Sequence, residues 1–180
     1  MREQRLLLIG PPASGKSTFG AQWAEQLGIP FWDTDQEVVR RTNRSISEWF
    51  AEGEEAFRQA EWQTVRALLQ EGQTGIIAIG GGFPAQAGAI SFLRQSGYLL
   101  WIDPPTEWLI ERWQSCKETR PLLARGSLPD WLHLLEQRRP FYRQADLHWQ
   151  PHRIPESFIL QWIQRRLFIS SVEVLASPLL

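Results

Sequence analysis

The chain has 180 residues, of which 43% are hydrophobic and 22% are charged. At roughly 150 residues per domain, this length predicts one domain, and the composition excludes a disordered chain, a collagen-like repeat and, with one cysteine, a disulfide scaffold. Because 19 Lys and Arg residues face 20 Asp and Glu residues, the net charge is −1 and no global field attracts nucleic acid or an anionic membrane.

The chain shows no targeting pattern. Only four apolar residues follow Arg5 before Gly10, and no stretch approaches the ~20 apolar residues of a membrane span. A single cysteine is typical of a reducing compartment. We therefore expect a cytoplasmic protein that has no nucleic-acid or membrane partner and acts as a monomer.

Short apolar runs alternate with segments of helical spacing along the chain. After the first run, Phe19, Trp23 and Leu27 recur at helical spacing until Gly28 ends the helix. Apolar strands between amphipathic helices are typical of a parallel sheet covered on both faces, so we predict an α/β fold with a five-stranded parallel sheet flanked by helices. The predicted strands are residues 5–9, 29–32, 75–79, 98–102 and 146–149, and a final helix is predicted at 156–168.

No internal repeat or linker divides the chain, so residues 1–168 are predicted to form a single domain. Residues 115–129 show little periodicity, and the region is locally basic. This predicts a mobile lid at about residues 112–128 that is suited to covering phosphates. Residues 169–180 form an apolar tail whose structure the sequence leaves open.

A phosphate-binding loop lies between the first predicted strand and the first helix. Its pattern is G-x-x-x-x-G-K-[ST], in which backbone N–H groups and the positive end of the helix hold phosphate oxygens. Lys16 is expected to reach the β- and γ-phosphates of a nucleoside triphosphate, and the Ser17 hydroxyl to ligate Mg²⁺. The loop residues are Gly10, Pro11, Pro12, Ala13, Ser14, Gly15, Lys16, Ser17 and Thr18.

Two carboxylates follow the second predicted strand, at the sheet edge where ligands bind in open α/β folds. Of Asp33 and Asp35, one could hold Mg²⁺ through water and the other could orient or deprotonate an acceptor hydroxyl. Alternatively, one of them caps the helix that follows.

Three consecutive glycines, Gly80 to Gly82, follow the third predicted strand at the same edge. Three in a row exceed what a turn needs, which favours close approach of bare backbone to a ligand. Arg58 lies on a helical segment, where Glu54 is spaced to pair with it, so a surface ion pair is the alternative to a binding role.

Together these features resemble the shikimate kinase family over about residues 6–149. Each motif is short, but they occur jointly in the family's order and spacing. The motifs are the phosphate loop, Asp-x-Asp, Glu-x-x-Phe-Arg ending at Arg58, the triple glycine, Arg-Pro-Leu-Leu from Arg120 and Arg-x-Pro-x-Tyr from Arg138 to Tyr142.

The resemblance implies a P-loop fold of the nucleoside-monophosphate-kinase type and an ATP- and Mg²⁺-dependent phosphotransferase that phosphorylates the 3-hydroxyl of shikimate, in aromatic amino acid biosynthesis. By this resemblance Asp35 binds the shikimate hydroxyls and is the candidate base, and Asp33 belongs to the Mg²⁺ shell. Arg58 and Arg138 hold the shikimate carboxylate, Gly80, Gly81 and Gly82 line its ring, and Arg120 neutralises charge at the transferring phosphoryl group.

The chain departs from the family pattern beside the expected adenine. Where the family often carries an arginine, seven residues before Arg120, this chain has Trp113, next to Arg112. A tryptophan can stack on adenine, so Trp113 is the expected nucleotide contact. Two other functions stay open: a related small-molecule kinase of the gluconate kinase type, and a catalytically inactive paralogue that keeps nucleotide binding.

Overall fold

The computed structural model describes residues 4–116 and 127–172, with side chains described up to residue 115 and from 127 to 167. Five parallel strands form one sheet in the order β2-β3-β1-β4-β5, which confirms the predicted architecture. The strands are β1 (Arg5–Ile9), β2 (Phe31–Asp33), β3 (Gly75–Ala78), β4 (Tyr98–Ile102) and β5 (Leu147–Trp149).

Helices connect the strands and cover both faces of the sheet. The helices are α1 (Lys16–Leu27), α2 (Thr34–Thr42), α3 (Ile46–Glu52), α4 (Glu54–Gln70), α5 (Ala89–Ser96), α6 (Thr106–Cys116), α7 (Leu128–Tyr142) and α8 (Glu156–Val172), with a short 3₁₀ turn at Phe83–Ala85. None of these described helices is both long enough and apolar enough to span a membrane.

The central strand β1 divides its side chains between two cores. Leu7 and Ile9 point to the face covered by α4, α5 and α7, whereas Leu6 and Leu8 point to the face covered by α1 and α8. Alternate side chains of a strand face opposite sides, so a strand that is apolar at every position must be covered on both. This burial holds the carboxyl ends of β1, β2 and β3 at one edge, where the loops that follow them meet.

Some element boundaries differ from the predicted ones. Strand β2 begins two residues later than predicted and includes Asp33. The first predicted lid residues, 112–116, belong to α6, and α7 begins at Leu128, so the remainder of the predicted lid, 117–126, lies outside the described residues. Helix α8 continues to Val172 instead of ending at residue 168, and residues 173–180 of the predicted tail lie outside the described residues.

Candidate active site

A cavity of about 670 Å³ lies at the carboxyl edge of the sheet. Its wall combines the phosphate loop and the triple glycine with side chains from the β2–α2 segment, α4, α6 and α7. One cavity therefore brings together groups from six parts of the chain that are far apart in sequence. Its lining includes Pro12, Ala13, Gly15, Lys16, Ser17, Thr18, Asp33, Asp35, Arg58, Glu61, Gly80, Gly81, Gly82, Arg112 and Arg138.

The side chain of Lys16 is hydrogen-bonded to the backbone of the phosphate loop. The Lys16 ammonium donates to the carbonyl oxygens of Gly10 at 3.0 Å and Pro11 at 2.8 Å. Gly15 precedes α1 with φ +96°, a left-handed conformation that favours glycine. A cation held beside the first N–H groups of a helix is suited to binding phosphate oxygens.

Asp33 serves two elements at once. Its Oδ1 accepts hydrogen bonds from the backbone N–H groups of Asp35 at 2.9 Å and Gln36 at 3.3 Å, so Asp33 is the N-cap of α2. Its Oδ2 accepts from the Ser17 hydroxyl at 2.5 Å. The helix-cap alternative therefore applies to Asp33, while Asp35 projects from the first turn of α2 and lines the cavity.

Ser17 and Asp33 together offer oxygen donors of the kind that Mg²⁺ prefers. Within residues 4–116 and 127–172, no group of three His, Cys, Asp or Glu side chains clusters as a metal site. This donor set fits an ion that takes one or two protein oxygens and completes its coordination with phosphate oxygens and water.

Arg58 has carboxylate partners on both sides. Its guanidinium pairs with Glu54 at 3.0 Å, as the spacing predicts, and with Glu61 at 2.8 Å. Glu54 is exposed, whereas Glu61 is 1% exposed and also accepts from the Gln86 amide at 2.7 Å. Arg58 thus forms the predicted ion pair with the exposed Glu54 and also lines the cavity, so the two alternatives for this residue do not exclude each other.

Burial raises the pKa of Glu61 to about 7, against the lowering effect of Arg58 and with a further raising effect from the nearby Asp35. Two carboxylates, Asp35 and Glu61, thus share one wall of the cavity. Their mutual repulsion favours binding of groups that donate hydrogen bonds, such as hydroxyls.

The triple glycine is packed against three different parts of the site. A Cβ on Gly80 would meet the carboxylates of Glu61 and Asp35, one on Gly81 would lie 2.9 Å from Pro12 of the phosphate loop, and one on Gly82 would lie 2.6 Å from the Arg58 guanidinium. The Gly80 N–H donates to the Thr34 hydroxyl at 2.9 Å. At each glycine, a different group of the site occupies the space that a side chain would take, so a Cβ there would displace that group.

Neighbouring arginines on α7 point in different directions. Arg138 is 7% exposed and lines the cavity, and burial lowers the pKa of its guanidinium. Arg139 instead pairs with Glu136 at 3.0 Å and lies 3.6 Å from Asp103. This arrangement follows from the ~100° between successive helical residues.

Trp113 does not reach the cavity. It is 6% exposed and stacks on Trp131 with ring centroids 5.9 Å apart, in a cluster with Leu109 and Leu135. The preceding Arg112 lines the cavity instead and donates to the Ala13 carbonyl at 3.0 Å. The structure places the Trp113 side chain in a core cluster, because α6 turns it toward α7, and its expected contact with the nucleotide stays a prediction. Arg120, the predicted charge-neutralising residue, lies outside the described residues.

Three residues at the site were missed by reasoning from the sequence: Thr34, Glu61 and Tyr142. Arg112 was expected only as one of the basic residues of the lid over the phosphates. Glu61 lies three residues after Arg58, a spacing that could have indicated the pair. Tyr142 belongs to a recognised motif, yet only the structure shows its hydroxyl donating to the Gly81 carbonyl at 2.6 Å. Thr34 carries no signal that distinguishes it from a surface residue.

Comparison with known proteins identifies the family. A family model described as shikimate kinase matches residues 12–167. The curated shikimate kinase of Aquifex aeolicus is 38% identical over 156 residues, which cover 86% of this chain and 91% of that protein. That of Synechococcus sp. is 42% identical over 144 residues, covering 79% of this chain and 73% of that protein.

Solved structures agree with this comparison. A shikimate kinase from Acinetobacter baumannii in complex with shikimate has a TM-score of 0.79 and 31% identity, covering 93% of this chain and 94% of that one. The shikimate kinase from Aquifex aeolicus has a TM-score of 0.73 and 36% identity, covering 91% and 95%. The resemblance inferred from the motifs is confirmed, and the chain belongs to the shikimate kinase family.

Proposed function

We propose that this chain transfers the γ-phosphoryl group of ATP to the 3-hydroxyl of shikimate, giving ADP and shikimate 3-phosphate, a step of aromatic amino acid biosynthesis. The observation that carries the proposal is a single cavity lined by both the phosphate loop and a pair of arginines facing a pair of carboxylates. Family membership supports the same reaction, since the A. baumannii relative is solved in complex with shikimate.

The phosphate loop binds the nucleotide in this proposal. Backbone N–H groups at the start of α1 hold the phosphate oxygens, and Lys16 exchanges its carbonyl partners for the β- and γ-phosphates. Ser17 and Asp33 would hold Mg²⁺, which supplies charge neutralisation at those phosphates when bound. Arg112 lies against the loop at Ala13 and adds positive charge on the nucleotide side.

The acceptor end recognises a carboxylate and hydroxyls. Arg58 and Arg138 supply planar donors that match a carboxylate in bidentate fashion, and both line the cavity. Glu61 holds Arg58 from behind, which orients its guanidinium. The triple glycine leaves room for a ring between these arginines and Asp35.

Asp35 is the proposed base. Its carboxylate accepts the proton of the acceptor hydroxyl as that oxygen attacks the γ-phosphorus, while the bond from this phosphorus to the bridging oxygen breaks and ADP leaves. Lys16 neutralises charge that develops on the transferring group. Arg120 joins it there by the family resemblance, and a single copy of the chain is sufficient because one cavity carries groups for both substrates.

A coupled ADP-release assay tests this function. We expect ADP release that requires shikimate and Mg²⁺ together and that is lost in Lys16→Met, the control for contaminating ATPases. Turnover of gluconate without turnover of shikimate would identify a gluconate kinase-like enzyme. Retained ATP binding without turnover of either acceptor would identify an inactive paralogue.

A further inference from the structure

Tyr142 lies one helical turn beyond Arg138 and faces the same side of α7. Its ring is 1% exposed and packs 5.9 Å from the ring of Trp101, in the core beneath the cavity. Its hydroxyl donates to the Gly81 carbonyl at 2.6 Å. The hydroxyl and the Arg138 guanidinium are close enough to influence each other's pKa electrostatically. The oxygen therefore contacts the triple glycine from the core and lies near the cavity arginine.

We propose that Tyr142 is a positioning residue for the substrate carboxylate: its hydroxyl holds the Arg138 guanidinium and the Gly81 backbone in one hydrogen-bonded chain. This inference rests on the proposed function, because it assigns Arg138 to the shikimate carboxylate. A phenol hydroxyl suits the position, since one O–H group donates to a carbonyl while its lone pairs accept from an arginine.

The two arginines of the site differ in how they are held. Arg58 is fixed by Glu54 and Glu61, whereas no ion pair to Arg138 is found in the part of the chain that the structure describes. A neutral partner suits Arg138, because it orients the guanidinium and leaves its positive charge available to the substrate carboxylate. Burial raises the pKa of Tyr142 to about 12, so its hydroxyl keeps the proton that it donates to Gly81 at neutral pH.

Orientation of Arg138 in advance of binding lowers the entropy cost of ordering a long side chain when substrate arrives. We expect this orientation to strengthen the binding of shikimate and not that of ATP, because Arg138 lies at the acceptor end of the cavity. Gly81 adjoins Pro12 of the phosphate loop, so a general distortion of the site would weaken the binding of both substrates. A loss of affinity for shikimate alone therefore indicates positioning, whereas a loss for both substrates indicates a structural role.

The test compares Tyr142→Phe, which keeps the ring and removes the oxygen, with Tyr98→Phe, which removes the hydroxyl of the chain's other tyrosine at the start of β4. We expect Tyr142→Phe to raise the KM for shikimate about tenfold while the KM for ATP stays within about twofold. Tyr98→Phe is expected to leave both values unchanged. The double variant Arg138→Ala/Tyr142→Phe is expected to bind shikimate within about twofold of Arg138→Ala, because the effect of Tyr142 passes through Arg138.

Calorimetric titration with shikimate measures the same affinities independently of turnover. An unchanged shikimate KM in Tyr142→Phe, an equal rise in both KM values, or full additivity in the double variant would overturn the inference while leaving the proposed function intact. A wild-type chain that binds no shikimate would overturn both.

Discussion

The Arg58 guanidinium occupies the place where a side chain on Gly82 would begin, because a Cβ on Gly82 would lie 2.6 Å from two of its nitrogens. Gly82→Ala should therefore displace Arg58 and raise the KM for shikimate at least tenfold, with little change for ATP. Gly81→Ala should instead raise the KM for ATP, because its Cβ would meet Pro12 of the phosphate loop. Steady-state kinetics with each substrate varied checks both variants, and the same pattern in both would refute this division of the triple glycine.

Asp35→Asn removes the proposed base and keeps the size of the side chain. General bases contribute about 10²–10⁴-fold, so kcat should fall by at least 100-fold while ATP binding persists. The control Glu55→Gln neutralises an exposed carboxylate on α4 and should keep wild-type turnover. Since Asp33 already caps α2, near-normal turnover in Asp35→Asn would leave Asp35 without a chemical role.

Arg138→Ala and Arg139→Ala separate a cavity residue from its neighbour. Loss of a charge-assisted pair with a bound carboxylate costs on the order of 2–5 kcal/mol, whereas loss of a solvent-facing pair costs about 0.5 kcal/mol. The shikimate KM of Arg138→Ala should therefore exceed that of Arg139→Ala at least tenfold, with ATP affinity nearly unchanged in both. The reverse order would show that α7 presents Arg139 to the substrate.

Arg112 and Trp113 have different contacts: Arg112 donates to the phosphate loop at Ala13, whereas Trp113 packs on Trp131. Arg112→Ala should weaken the binding of ATP about tenfold, equivalent to about 1.4 kcal/mol, because the Arg112 guanidinium lies against the phosphate loop. Trp113→Phe should lower the free energy of unfolding by about 1–2 kcal/mol through lost packing on Trp131 and leave the ATP KM within about twofold. A specific loss of ATP affinity in Trp113→Phe would restore it as a nucleotide contact.

The pH dependence of stability should report the burial of Glu61. Burial raises its pKa in the folded state to about 7, so the folded state binds more protons than the unfolded state between the ordinary value of 4.5 and 7. The stabilisation from protonated Glu61 is therefore present at low pH. As the pH rises through this window, the free energy of unfolding falls by at most about 1.4 kcal/mol per pH unit. Urea denaturation should show this downward slope in the wild type but not in Glu61→Gln.

Glu37 provides a control, because its pKa is shifted in the direction opposite to that of Glu61. Hydrogen bonding to Arg40 lowers the pKa of Glu37, so its stabilisation is present above the ordinary value and is lost as the pH falls below 4.5. Glu37→Gln should change the slope only in that acidic range. Equal slopes between pH 4.5 and 7 in the wild type and Glu61→Gln would show that Glu61 is ionised in the folded protein throughout.

The phosphate loop and the alternation of strands and helices follow from the sequence alone, because both depend on neighbouring residues. Residues 5–9 and 98–102 are strands as predicted, since short continuous apolar runs are typical of a sheet covered on both faces. The predicted start of β2 and the predicted end of α8 were wrong by a few residues, because local preference changes little across the ends of an element.

The order of the strands and the facing of individual side chains depend on contacts between distant residues. Only the packing of α6 on α7 shows that Arg112, not Trp113, meets the phosphate loop. Likewise, only the approach of α4 to the triple glycine buries Glu61 behind Arg58. A helical pattern specifies which residues share a face, whereas the rest of the fold decides what that face contacts.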